Sequence, residues 1–130
     1  MKLKHFNLQL GTQILKSFSD ESRIRIMHLL HKNNELCISD IELVLDFTQT
    51  KTSRHLIYLK NAGLVTSRKV DQWTFYAIKE EVSDFINILY QYLDKDIVLI
   101  NDQKTYNTLF NNRELAVNKL QSKKWSYEYR

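Results

Sequence analysis

Residues 48–78 read TQTKTSRHLIYLKNAGLVTSRKVDQWTFYAI, and the change of period inside this stretch decides the fold. At ~100° per residue, Thr52, Leu56, Leu59 and Gly63 fall on one helical face and Thr50, Arg54, Ile57 and Asn61 on the other. Thr48 is a good N-cap, and Gly63 suits the left-handed position just past a helix end, so the spacing predicts a helix from about 49 to 61. Beyond Gly63 the period becomes two. Leu64 to Val70 and Trp73 to Ile78 read as strands, joined at Asp71-Gln72, which predicts a β-hairpin.

Upstream, Leu3, Phe6, Leu10, Ile14 and Phe18 recur at helical spacing, with Leu8 and Leu15 as a second apolar line, so a helix over 3–18 has two faces to bury. Ser19 or Asp20 can cap a second helix through Ile24, Met27 and Leu30, which ends at the polar break Lys32-Asn33-Asn34. A short apolar piece, Leu36 to Ile38, leads to Ser39 or Asp40 as the cap of a third helix through Ile41, Val44 and Leu45. Downstream of the hairpin, the helical period runs from Glu80 through Val82, Phe85, Leu89, Ile97 and Ile100 to Tyr106, Leu109 and Leu120. It reads as one long helix, or as two broken near Asn101-Asp102.

The fold class expected is therefore mainly α with a small β-hairpin, in the order α-α-α-α-β-β-α. Three short helices, a further helix with an outward polar and basic face, and a basic hairpin make a winged helix-turn-helix. Residues 1–100 are expected to form the DNA-binding and dimerisation domain, and 101–130 a C-terminal helical extension with a basic and aromatic tail.

Charge placement points the same way. The chain carries a net charge of +4, but residues 47–70 hold Lys51, Arg54, Lys60, Arg68 and Lys69 with no acidic side chain, while residues 79–102 hold two basic and six acidic ones. An acid-free basic stretch is the footprint of a surface that meets phosphates. A helix is about as wide as the major groove, so Gln49, Thr50, Ser53 and Arg54 are expected at base edges, with Lys51, Arg68 and Lys69 on the phosphates of double-stranded DNA. Arg68 and Lys69 also suit a simpler role, keeping an edge strand soluble.

Composition excludes other classes. At 130 residues the chain is one domain's length, and its longest aliphatic run, Ile97 to Ile100, is far short of the ~20 residues of a membrane span. The opening residues Met1-Lys2-Leu3-Lys4-His5 lack a signal-peptide apolar stretch, so no export is expected, and a single cysteine fits a reducing cytoplasm. Two glycines and no proline leave no material for a phosphate-cradling loop, and no nucleophile, base and acid set stands out, so no catalytic residue and no cofactor are expected. A protein-interaction module that keeps this fold without DNA binding is the alternative. Such a module would tolerate acids on the fourth helix.

Several segments together closely resemble the ArsR/SmtB family of bacterial winged-helix repressors. They are residues 15–26 (LKSFSDESRIRI), residues 35–41 (ELCISDI), Ser53-Arg54-His55-Leu56, residues 59–65 (LKNAGLV) and Trp73-Thr74-Phe75-Tyr76, and the resemblance covers roughly residues 8–100. It implies a homodimer built from the first and last helices, which binds a near-palindromic operator until an effector weakens its hold. Two departures are Glu21, where the family usually has proline, and Asp71-Gln72, where glycine is common.

The metal ligands of that family do not carry over. Cys37 matches the first of two thiolates, but Ser39 stands where the second would be, and a hydroxyl is a poor substitute for a soft ligand. If Asp84 is taken as the carboxylate of the other site, the following positions fall on Ile86, Ile97 and Ile100, and residues 79–110 contain no histidine or cysteine. Of His5, His28, His31 and His55, only His28 and His31 have ligand-like spacing, and packing roles suit them better. No metal site is expected, and no small-molecule effector is named. Cys37 reads as a small buried apolar side chain; as a redox centre it would have sulfenic acid, a mixed disulfide or a disulfide across the dimer open to it.

Overall fold

The computed structural model describes residues 6–121. Among them the elements are α1 (Leu8–Ser17), α2 (Glu21–Asn33), β1 (Glu35–Cys37), α3 (Ile38–Leu45), α4 (Gln49–Asn61), β2 (Val65–Val70), β3 (Trp73–Ile78), a 3-10 turn (Glu80–Val82), α5 (Ser83–Leu93), α6 (Ile97–Asn111) and α7 (Val117–Gln121). Local chemistry sets most of these bounds. The side chains of Asn7, Asp20, Thr48 and Asp96 each accept a backbone N–H at the start of α1, α2, α4 and α6. Gly63, at φ 83°, takes the left-handed conformation past α4, and Leu64 N–H donates to the Leu59 carbonyl.

Three element bounds differ from the sequence reading. Helix α1 starts at Leu8, because Asn7 caps it, and the expected stripe position Leu3 lies outside the described residues, as do His5 and the tail from residue 122. Helix α3 starts at Ile38 with Cys37 in the cap position, where Ser39 or Asp40 was expected. Asp40 sits three residues in, and its carboxylate accepts the Cys37 N–H at 3.2 Å. The break after α5 falls at Asp94-Lys95-Asp96 and not at Asn101-Asp102, since Asp96 accepts from Val98 N–H and starts a new helix there. An apolar period continuing on both sides had hidden it. Residue 100, where the sequence reading places its division, lies within α6, which packs against α2 and α3.

The hairpin belongs to a three-stranded antiparallel sheet of order β1-β3-β2. Leu36 pairs with Tyr76, and Val70 with Trp73 across the wing tip. Three residues are too few to display a period of two, so β1 was legible only as an apolar piece. At the tip Asp71 takes φ 55°, a left-handed conformation that aspartate tolerates better than most residues.

Helix α2 is the centre of the core. Ile26, Met27, Leu29 and Leu30 are buried with Leu56 and Leu59 of α4, Phe75 of β3 and Tyr90 of α5. The Tyr90 hydroxyl donates to the Ile24 carbonyl at 2.7 Å, and burial pushes its phenol far above the usual range. His31 stacks on the Tyr90 ring at 5.1 Å between centroids, and His28, buried, lies 5.5 Å from it. Burial holds the imidazoles of His28, His31 and His55 below their ordinary range. The folded chain thus favours neutral rings, the unfolded chain binds more protons below pH ~6.5, and stability should fall as the pH drops from there. Urea midpoints at pH 7.5, 6.5 and 5.5 should decline, less steeply in His31→Gln; a level series would contradict the burial assigned to these rings.

Candidate nucleic-acid interface

Helix α4 is amphipathic because its buried face is made of small and apolar groups at helical spacing. Thr52, His55, Leu56 and Leu59 are buried, and the Thr52 hydroxyl donates to the Thr48 carbonyl at 2.9 Å, so its polar group is satisfied without reaching outward. The opposite face is open. Gln49, Thr50, Arg54 and Ile57 are exposed and Ser53 is half-buried. These five line one shallow depression of about 500 Å³. The four polar residues expected at base edges therefore share one surface. Ile57 is an addition: the sequence placed it on the outward face, and a methyl-bearing side chain there can meet a thymine methyl.

The cations expected on phosphates separate into three situations. Lys69, on β2 next to the wing tip, is exposed. Lys51, in the first turn of α4, is half-buried, with its ammonium 4.0 Å from the centroid of the Phe47 ring. Arg68 is engaged elsewhere: its Nη2 and Nε donate to Glu35 Oε1 and Oε2 at 2.9 and 3.1 Å, and the two side chains are 9% and 13% exposed. The sequence placed Arg68 on phosphates; in the folded subunit its guanidinium is paired with Glu35. In the folded subunit it holds the sheet, because β1 places an acid within reach of β2 across β3, and nothing in the local pattern of residues 35–37 marked β1 as a member of the sheet.

Other basic residues tie α4 to its neighbours. Lys60 Nζ donates to Ser67 Oγ at 2.7 Å, linking the end of α4 to the wing strand β2. Arg23 donates to the carbonyls of Ser17 and Lys16, and its guanidinium sits 4.1 Å from the Tyr58 ring centroid. It fastens the end of α1 to the flank of α4. The sequence offered no signal for either role beyond the residue types.

Cys37 is buried, and its Sγ accepts from the Ser39 hydroxyl at 3.4 Å. Among the described residues no three histidine, cysteine, aspartate or glutamate side chains gather as a metal cluster, and no helix is long and apolar enough to cross a membrane. His28 and His31, the pair at ligand-like spacing, are instead packed against Tyr90.

Residues 20–67, from the cap of α2 to the wing strand, match the model of the bacterial regulatory protein, arsR family. The arsenical resistance operon repressor of Escherichia coli (strain K12) is 38% identical over 73 residues, 56% of this chain and 62% of that one. The chain thus spans under two thirds of that repressor's own length. The solved structure of HlyU from Vibrio cholerae N16961 is 31% identical with a TM-score of 0.62, covering 68% of this chain and 96% of that one. The homodimeric winged helix-turn-helix DNA-binding domain Mb0332 from Mycobacterium bovis superposes with the same TM-score at 25% identity, over 68% of this chain and 82% of that domain.

Proposed function

We propose that this chain, which belongs to the arsR family of bacterial regulatory proteins, is a homodimeric transcriptional repressor of the cytoplasm that binds double-stranded DNA at a near-palindromic operator. The observation that carries this reading is the outward face of α4, where Gln49, Thr50, Ser53, Arg54 and Ile57 line one depression in a segment, residues 47–70, that holds no acidic side chain. Helix α4 enters the major groove, with Arg54 and its polar neighbours at base edges. Lys51 and Lys69 hold flanking phosphates. Arg68 contributes by keeping the wing strand in register.

The dimer is supported by apolar side chains that the single subunit leaves in water. Leu8 (87% exposed) and Leu15 on α1, with Ile88 and Tyr92 (82%) on α5, are large hydrophobic groups on the two helices that the sequence marks as having surplus apolar faces. A two-fold pair also presents two α4 helices to two half-sites one helical turn apart. Sedimentation at micromolar concentration should give twice the 15.6 kDa chain mass; a single species at the chain mass would remove the dimer. The effector, where one acts, is not a metal held by a thiolate pair, because Ser39 occupies the second thiolate position.

Operator selection from a random DNA pool, followed by titration at two salt concentrations, tests the whole reading. A selected near-palindrome bound at least ~10³-fold more tightly than random DNA, with affinity falling steeply in salt, is the expected result. Failure to select any sequence would leave a winged-helix interaction module in its place.

A further inference from the structure

We propose that the segment from α6 to α7 is a brace that sets the position of α4, with Asp102 and Asp40 as its positioning residues; this rests on the reading of α4 as the DNA-contacting helix. Asp102, on α6, is buried and takes two charge-assisted bonds from Arg25 of α2, Nε to Oδ2 and Nη2 to Oδ1, each 2.9 Å. The same guanidinium lies 5.3 Å from the centroid of the Phe47 ring. Phe47 belongs to the three-residue link between α3 and α4, and Lys51 of α4 rests its ammonium over that ring. A continuous line of contacts therefore runs from α6 through α2 to the first turn of α4.

The second anchor enters α4 from its other neighbour. Asp40 on α3 has no exposed surface. One carboxylate oxygen accepts the Ala116 N–H and the other accepts the N–H groups of Val117 and Cys37, at 3.1 and 3.2 Å. The start of α3 is thereby joined to the start of α7, seventy-six residues later in the chain. From α3 only Asp46, Phe47 and Thr48 lead into α4, and Asp46 is itself held at φ 56°. So short a link passes any tilt of α3 directly to α4. Both anchors are directional polar contacts whose loss leaves the apolar packing of α2 against α4 and β3 in place. Their contribution is to fix the angle of α4 before DNA arrives, which spares binding the cost of ordering it.

The test uses the full chain with Asp102→Asn and the milder Arg25→Lys, which keeps the charge and loses the planar fork. Amide hydrogen exchange without DNA should speed up at least threefold across residues 46–54 in both variants and stay unchanged in β3, whereas a general loss of stability would speed both regions alike. Affinity for the selected operator should drop at least tenfold with an unchanged salt slope, because every phosphate keeps its cation. Wild-type exchange across residues 46–54 in either folded variant would overturn the brace, as would equal acceleration in β3. Should the wild type bind no DNA, the reading of α4 fails on that result alone, and the exchange measurement still decides whether α6 constrains α4.

Discussion

Arg54→Ala should cost about 1–3 kcal/mol of operator binding per subunit and far less on random DNA. The expectation follows from where the guanidinium stands. It is exposed on α4 among Gln49, Thr50, Ser53 and Ile57, and its planar fork can reach two acceptors on a guanine edge at once. Random DNA seldom offers that edge in register, so there the side chain contributes only its charge. Lys69→Ala is the contrasting case, since an ammonium on a phosphate meets the same partner in any sequence. It should weaken both DNAs alike and lower the salt slope by about one for each phosphate left without its lysine. A dimer carries each substitution twice, so both effects should appear doubled in the measured complex. Titrations of wild type and the two variants on operator and random DNA at two salt concentrations check this. Equal affinities throughout would reduce residues 47–70 to a solvated basic face.

The outward face of α4 was legible in the sequence because a surface helix writes its orientation into its spacing. Thr52, Leu56 and Leu59 had to be buried, and this left Thr50, Arg54 and Ile57 outside without knowledge of any partner. The wing was legible for the same reason, as a period of two bounded by a polar turn. What the sequence did not disclose are contacts between segments far apart. Glu35 lies thirty-three residues from Arg68, and Asp102 seventy-seven from Arg25. A charge that will be paired across a fold looks, in the chain, like any solvated charge. Asp40 is the clearest instance. The sequence offered it only as a candidate cap for α3, whereas the two N–H groups it receives from Ala116 and Val117 come from a segment whose period offered no hint of its docking.

The Glu35–Arg68 pair turns that difference into a measurable one, and Glu35→Gln should destabilise the fold by about 3 kcal/mol. The register explains why. Glu35 on β1 stands opposite Ala77 and Arg68 on β2 opposite Phe75, so the two side chains meet over β3 on one face of the sheet. Both are largely buried, and removing the carboxylate charge takes from the guanidinium the partner of its two charge-assisted bonds without returning it to water. The double variant Glu35→Leu with Arg68→Met replaces both charges with apolar bulk and should recover most of the loss. Urea unfolding of Glu35→Leu, Arg68→Met and the double variant gives the coupling directly. The same double variant separates the two roles that a basic wing residue can have. If Arg68 holds the sheet, the refolded wing should bind operator with the wild-type salt slope, unlike Lys69→Ala. A slope reduced by about one per Arg68 removed would return that residue to the phosphates, where the charge pattern of residues 47–70 first placed it.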